Sequence, residues 1–504
     1  MNEIHTQFAA RCGHELLTPG QIYAADAATI DSGTAGIRLM ENAGYAVFRE
    51  IVLRWAKRPV TVLCGPGNNG GDGFVTACLL AADGWPVKLA LVGKASNLRG
   101  DAQLAAKRWP GKIEAVTPNC IEGARLIVDA MFGAGLAREI GHPLAEVVAA
   151  VAKSGAPVIS VDVPSGIDGE TGHVRGSAIR ADLTVTFFRR KPGHLLLPGR
   201  IFCGELVCAQ IGILDSALPR DQQIIMANTP ELWSHYFADH NVGSHKYDHG
   251  HALVISGDAY KSGAARLAAN AALRARAGLL TVAAPKHAMS INAAHLTAIM
   301  LAEADDARAI SRILKDRRKT AACIGPGVGI SISTRAKIRA VLSSGAAAVL
   351  DADALTNFSD DPKVLFAAIK EHPDRAVVLT PHEGEFQRLF SSLRESSDSK
   401  CQRALSAAKL SGAVVVLKGA DTVVAEPHGR VIINDNAPPR LATAGAGDVL
   451  AGIILANLAR QIPSFEAAAA GVWLHGAAAQ AGMNGMTADD LPDLLPVAMA
   501  SIDK

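Results

Sequence analysis

Two glycine-rich stretches, far apart in the chain, each run into an aspartate: GPGNNGGDG at 65–73 and ATAGAGDVLAG at 442–452. A backbone that turns repeatedly through glycine can converge its N–H groups on an anion, and a helix that follows adds the positive end of its dipole. Neither stretch ends in the Gly-Lys-Ser/Thr of a Walker A loop, and neither has the G-x-G-x-x-G spacing of a dinucleotide fingerprint. The expectation is therefore two unlike nucleotide sites. In the first stretch, Asn68 and Asn69 offer amide donors and carbonyl acceptors suited to a ribose, a nicotinamide amide or a monovalent cation. In the second, Asp448 stands where a general base would meet a hydroxyl, with Ala446 and Gly447 supplying donors to a phosphate. A helix N-terminal charge would explain the aspartate but not its flanking glycines.

Other polar residues stand at the ends of apolar runs. Asp129 closes LIVD, where it serves either a site or a helix N-cap. Asp162, in SVDVPSGIDG, is the stronger of the two, because desolvation at a strand end can raise a carboxyl towards a working range. Ser165 lies in the same turn, and Lys191 in FFRRKPGH either supplies a cation or stands in solvent. Further on come GPGVG at 325–329, Asp351 and Asp353 in DADAL, His382 in LTPHEGEF, and Lys418 with Gly419 in LKGADT.

These stations need strands and helices to hold them. A helical pattern runs from Pro19 to about Lys57, followed by the strand VTVLC, the glycine loop and the helix GFVTACLLAADG. Apolar strands then alternate with helices, which predicts a parallel sheet covered on both faces, with ligands at the carboxyl ends of its strands. The alternation lapses between about 214 and 242 and resumes at HGHALVISGDAY. The expected organisation is an N-terminal Rossmann-like α/β/α domain at 1–220, a connecting segment at 221–240, and a second α/β domain at 241–504. Helices are expected at 447–461 and 465–482, with a Thr487-x-x-Asp490 capping pattern before the last one.

With 504 residues, 49% of them hydrophobic and 19% charged, the chain suits two globular domains. A formal charge of +2 gives no electrostatic case for nucleic acid or an anionic membrane as partner. The eight cysteines are scattered without C-x-x-C pairs and are expected to be reduced core thiols. No secretory pattern opens the sequence, so the cytoplasm is the expected compartment. The long uncharged run at 467–488 is too polar for a membrane span and fits a buried Ala-rich helix.

Taken together, the motifs resemble the bifunctional NAD(P)HX repair enzymes of bacteria over nearly the whole chain. LMENAG, GPGNNGGDGF, VDAMFGAGL, VDVPSGIDGETG and KPGH are similar to the NAD(P)HX epimerase domain. His245-Lys246, GPGVG, DADAL, LTPHEGEF, LKGADT and GAGDVLAG are similar to the ADP-dependent NAD(P)HX dehydratase, which has a ribokinase-like α/β fold. The resemblance implies substrates NADHX and NADPHX, hydrated on the dihydropyridine ring, with ADP as co-substrate. It also implies K+ in the epimerase, Mg2+ in the dehydratase and a homo-oligomeric state. By the same resemblance, Asn68, Asn69, Gly70, Gly71, Asp72, Gly133, Ala134, Gly135, Leu136, Ala137, Arg138, Glu139 and Asp162 bind NAD(P)HX in the first domain, with Asp162 catalytic. Asn69, Asp129 and Ser165 would hold potassium. In the second domain, Gly329, His382 and the catalytic Asp448 would meet NAD(P)HX, and Lys418, Gly419, Ala420, Asp421, Thr422 and Gly447 would meet ADP. Ala446 stands where the family usually has Thr or Ser, and Glu383 where it usually has proline.

Overall fold

A computed structural model describes residues 13–136, 138–219, 223–237, 245–393 and 399–502. The chain divides into two compact units, Met1–Met226 and Ala227–Lys504, so the division falls inside the segment where the strand–helix alternation lapses.

The first unit opens with helices α1 (Pro19–Asp31) and α2 (Gly36–Arg54). The sequence pattern reads as one helix, but Gly33, at φ 108°, ends α1 in a left-handed turn. Thr18 starts α1 through a capping box: its hydroxyl accepts from Gln21 N, and Gln21 Oε1 accepts from Thr18 N. There follow β1 (Val60–Cys64), α3 (Asn68–Ala82), β2 (Val87–Leu91), α4 (Gly100–Lys107), β3 (Ile113–Ala115), β4 (Leu126–Ala130), α5 (Leu144–Ser154), β5 (Val158–Val161), β6 (Leu183–Phe187) and β7 (Glu205–Ala209). All strands are parallel in the order β3-β2-β1-β4-β5-β6-β7. This doubly wound order reverses beside β1, so the crevice for a ligand lies outside the carboxyl ends of β1 and β4.

The expected glycine loop is mostly helix. Helix α3 begins at Asn68, five residues before the predicted start at Gly73, and takes in Gly70, Gly71 and Gly73. These glycines permit close packing rather than lining a loop. A Cβ would fall 1.9 Å from Gly65 O at Gly70, 2.5 Å from Met40 Sδ at Gly71 and 2.6 Å from Ala130 Cβ at Gly73. Phe74 and Leu80 of α3 then bury against Val62 and Val128 of the sheet.

In the second unit the strands are β8 (His251–Ile255), β9 (Leu279–Ala284), β10 (Met300–Glu303), β11 (Lys319–Ile324), β12 (Ala347–Leu350), β13 (Val377–Leu379), β14 (Val414–Leu417), β15 (Thr422–Ala425) and β16 (Val431–Asn434). They are ordered β16-β15-β14-β13-β12-β11-β8-β9-β10; the run from β14 to β10 is parallel, and β15 and β16 turn back antiparallel. The helices that matter for the site are α6 (Ser262–Arg274), α7 (Glu383–Leu389), α8 (Lys400–Ser411), α9 (Ala446–Ala459), α10 (Ser464–Ala481) and α11 (Leu491–Ala500). The Ala-rich α10 is buried, as its composition predicts, and no helix among the described residues is long and apolar enough to cross a membrane.

Two local expectations need correction. Thr487 does not cap α11; Asp490 holds that position, and its carboxylate accepts from Thr487 N at 2.7 Å. Cys64, Cys78, Cys120, Cys203 and Cys323 are free thiols, but Cys208 is disulfide-bonded, so the cysteines are not all reduced.

Helix α9 is buried along nearly its whole length and meets α6 at Gly452, where a Cβ would lie 2.1 Å from Ala268 O. In a solvated helix, Gly→Ala gains about 1 kcal/mol. Here Gly452→Ala is expected to cost about 1–3 kcal/mol through overpacking, measured by urea unfolding. A variant as stable as the wild type would mean that the two helices do not touch backbone to backbone.

Candidate functional site

A cavity of about 500 Å³ occupies the crevice of the first unit. Pro66, Gly67, Asn68, Asn69 and Asp72 reach it from the start of α3, and Met131, Phe132, Gly133, Ala134, Gly135, Leu136 and Arg138 from the loop after β4. Asp162 and Lys191 close its floor, while Ile22, Tyr23, Asp26 and Ile30 of α1 and Leu39, Met40 and Ala43 of α2 form the remaining wall. Most of the residues assigned to the hydrated cofactor therefore share one space. Gly70, Gly71 and Glu139 do not line it: the first two lie within α3, and Glu139 lies past the loop. Ala137 lies outside the described residues.

Asp162 sits in a left-handed conformation at φ 66°, at the centre of a three-residue turn in which Val163 N donates to Val161 O at 2.9 Å. A non-glycine residue pays strain to stand there, a mark of functional positions. Its Oδ1 accepts from Lys191 Nζ and, at 3.0 Å, from Thr186 Oγ1; its Oδ2 accepts from Ala134 N at 3.2 Å. Burial pushes the carboxyl up, but Lys191 outweighs it and holds Asp162 below its ordinary value. Lys191 is only 1% exposed, which decides between the two readings of this residue: it is a buried cation, not a solvated one. His194 Nδ1 accepts from Lys191 N at 3.0 Å, so the proton sits on Nε2 and is donated to Asp162 O at 2.9 Å. Burial, with Lys191 beside it, lowers this neutral imidazole to about 3.

Sequence reasoning missed Tyr23 and Asp26. The available signal was spacing: Ile22, Asp26 and Ile30 recur every four residues, so a carboxylate stands in an apolar stripe. Burial raises Asp26 to about 6, with Lys191 opposing the rise and Asp162 adding to it. Burial, followed by Asp162 and Asp26, holds Asp72 well above the usual carboxylate range.

Asp129 lies inside β4, not at a helix start, and is fully buried. It accepts from Ser160 Oγ at 2.9 Å, from Ser165 N at 2.8 Å and from Ser165 Oγ at 2.6 Å, all neutral donors. Asn69, turned so that its amide satisfies both neighbours, donates to Val161 O at 3.1 Å and accepts from Gly133 N at 3.3 Å. A buried carboxylate whose partners are all neutral, with the Ser160 and Ser165 hydroxyls on it and the Phe132 carbonyl on Ser165, has the oxygen chemistry that suits a monovalent cation. Asp129 and Ser165 touch each other; Asn69 reaches the same loop through Gly133.

In the second unit, Gly445 at φ 89° is the N-cap of α9, so Ala446, Gly447 and Asp448 form its first turn. Lys418, just past the end of β14, donates to Asp351 Oδ1 at 2.8 Å and lies 3.8 Å from Glu385 Oε2. A Cβ on Gly447 would be 3.6 Å from Lys418 Nζ, which puts the ammonium at the helix terminus. Burial would lower Lys418, but Asp351, Glu385 and Asp448 more than offset it and hold the ammonium above its ordinary value. Burial and Asp351 raise Asp448 to about 6, against Lys418 and with a further push from Asp353. Gly329 N donates to Asp353 Oδ2 at 2.8 Å. His382 is the N-cap of α7: its Nδ1 accepts from Gly384 N, and Glu385 Oε2 accepts from His382 N at 2.8 Å. Lys400 of α8 grips Asp421 at 2.6 Å, and Thr422 Oγ1 donates to Gly419 O at 2.6 Å, fixing the LKGADT turn. Glu385 and Lys400 escaped the sequence reading, although a buried Lys418 demands anionic company.

These features define a two-domain enzyme, one unit holding a carboxyl-lined pocket at a Rossmann-type switch point and the other a carboxylate in the first turn of a helix beside a lysine. A family model described as NAD(P)H-hydrate dehydratase matches residues 252–498, and one described as YjeF-related protein N-terminus matches residues 36–193. The chain is 34% identical over 488 residues to the Bifunctional NAD(P)H-hydrate repair enzyme Nnr of Coxiella burnetii, covering 94% of this chain and 96% of that protein. To the enzyme of the same name in Escherichia coli it is 36% identical, covering 90% of this chain and 87% of that one. A crystal structure of ADP/ATP-dependent NAD(P)H-hydrate dehydratase from Bacillus subtilis, co-crystallized with ATP/Mg2+, is 27% identical, with a TM-score of 0.48 over 55% of this chain and 99% of that one. The chain belongs to the bifunctional NAD(P)H-hydrate repair enzymes.

The neutral His194 makes stability depend on pH. Its folded pKa of about 3 lies below its unfolded value near 6.5, so between these values the unfolded state binds the extra proton. This contribution is complete above the unfolded pKa and is lost as pH falls, at up to about 1.4 kcal/mol per pH unit. Asp26, whose folded pKa is raised, contributes with the opposite sign between about 4 and 6, so the wild-type curve is a sum. Comparing unfolding curves of the wild type and His194→Gln isolates the histidine: the variant should lose less stability between pH 6.5 and about 4. Parallel curves would mean that His194 is charged in the folded state.

Proposed function

We propose that the first unit interconverts the R and S epimers of NADHX and NADPHX, and that the second converts the S form to NADH or NADPH using ADP, with AMP and phosphate as products. The observation that carries this reading is the juxtaposition of Asp448, Gly447 and the Lys418 ammonium at the start of α9. The C6 hydroxyl of the hydrated ring is a poor leaving group. Phosphorylation converts it into a good one, and the lone pair of ring nitrogen N1 then drives phosphate out. Asp448, raised to about 6, is matched to accept the hydroxyl proton as the C6 oxygen attacks phosphorus. The N–H groups of the first turn and Lys418 stabilise charge on the transferred phosphoryl group.

In this reading LKGADT, braced by the Lys400–Asp421 pair, receives ADP, while Gly329 and His382 bound the nicotinamide side. Magnesium would enter with the nucleotide, whose phosphates and retained waters supply most of its oxygen ligands. In the first unit Asn69, Asp129 and Ser165 hold potassium, whose charge balances the buried Asp129 carboxylate. Asp162 holds Lys191 in place on the cavity floor through their ion pair.

The test follows NADH absorbance after a mixed R/S NADHX sample meets enzyme and ADP. Complete recovery with AMP and phosphate is expected; a halt at the S fraction would remove the epimerase assignment, and a lasting phosphorylated product would point to a kinase instead. Asp448→Asn is expected to lower kcat for dehydration by about 10²–10⁴-fold while ADP affinity is retained. Unchanged turnover would rule out Asp448 as the base.

A further inference from the structure

The first cavity holds more acid–base machinery than the epimerase reading has used. Of its ionisable side chains, Asp162 already accepts from Lys191, Thr186 and Ala134, and Lys191 donates to Asp162 and Thr186. Moving a proton through either would break the ion pair that holds both in place. Two further carboxyl groups that line the cavity are not engaged in this way. The side chains of Asp26 on α1 and Asp72 on α3 line the cavity and accept no hydrogen bond from the described residues.

We propose that Asp26 is the catalytic base of epimerisation, taking the proton of the C6 hydroxyl, and that Asp72 is the matching acid at ring nitrogen N1. This inference rests on the epimerase reading and extends it to the reacting atoms. C6 of the hydrated ring bears both a hydroxyl group and N1, so it opens as a carbinolamine does. Asp26 accepts the O–H proton, the oxygen lone pair forms the C=O bond, and the C6–N1 bond breaks with its electron pair passing to N1. The Asp72 proton then goes to N1. Rotation about C5–C6 presents the other face of the aldehyde; N1 attacks it, returning its proton to Asp72, while Asp26 returns its proton to the new alkoxide. Atoms and charges balance, and nothing is consumed.

The environments of the two acids support the division of labour. Asp26, raised to about 6, is ionised at neutral pH yet still basic, whereas burial pushes Asp72 up from the usual carboxylate range, which favours its acid form. The groups facing Asp26 are Tyr23 on its own helix, Asp72 on α3, Asp162 after β5 and Lys191 after β6, with Asp101 of α4 and Arg138 also lining the cavity. Asp162 and Lys191 form an ion pair, and Lys191 holds the Asp162 carboxyl below its ordinary value.

The test uses the full chain and purified S-NADHX without ADP, with the R epimer quantified by chromatography. Asp26→Asn is expected to lower kcat for exchange by about 10²–10⁴-fold with KM within a few-fold of wild type. The wild-type kcat/KM should rise with pH through about 6, and this limb should vanish in the variant. Asp26→Glu, keeping the carboxylate, should recover part of the rate and the limb. A wild-type kcat in Asp26→Asn, or a persistent limb near pH 6, would overturn the assignment of Asp26. Wild-type protein that dehydrates the S form but never yields R would instead overturn the epimerase reading beneath it. A comparable loss in Asp26→Asn and Asp26→Glu, with no change in pH profile, would assign Asp26 to packing.

Discussion

A lysine ammonium buried at the end of a parallel sheet must be neutralised, and both units meet that demand in the same way. Lys191 is taken up by Asp162, and Lys418 by Asp351. Isolated burial of any of these charges would cost several kcal/mol, so each pair is fixed by its own desolvation. The consequence lies in the carboxylates left over. Once the lysine is spoken for, a second acid nearby feels burial and its anionic neighbours more than it feels the cation, and its proton affinity rises. Asp26 in the first unit and Asp448 in the second are in that position, both raised to about 6. One buried pair thus sets the local charge, and the remaining acid becomes the group able to exchange a proton near neutrality.

The same logic ties the fold to the sites. Parallel strands end together, so polar residues that follow them are brought to one side of the sheet whatever their separation in sequence. Asp162 follows β5 and Lys191 lies a few residues past β6; Asp351 follows β12 and Lys418 follows β14. Strands β5 and β6 even stop alike, each in a three-residue turn around a left-handed non-glycine residue, Asp162 at φ 66° and Phe188 at φ 61°. Reversal so tight leaves no slack between the last sheet residue and the functional one.

Much of this was legible in the sequence, because strand-end stations are written as an apolar run followed by a polar residue. Asp162, Lys418 and the loop after β4 are of that kind, while Asp448 was marked by the glycines that open its helix. Glycine was harder to interpret. Gly70, Gly71 and Gly73 have the composition of a phosphate loop but serve a helix pressed against its neighbours, a distinction set by the Gly65 carbonyl together with Met40 and Ala130, which lie about 30 and 60 residues away in sequence. Lys191 read equally well as solvated, since burial of a lysine depends on a partner supplied by another strand. Asp26 and Tyr23 were passed over because they belong to a helix that precedes the sheet, where polar residues ordinarily face water.

That last point bears on where the first domain begins. The stretch matched by the family description for this half starts at residue 36, yet α1, at Pro19–Asp31, forms a wall of the cavity with Ile22, Tyr23, Asp26 and Ile30. A fragment cut to the matched residues would keep the sheet, the glycine-bearing helix and the Asp162–Lys191 floor while leaving the pocket open on one side. The recognisable core and the enclosure therefore have different borders, and α1 belongs to the lining of the cavity.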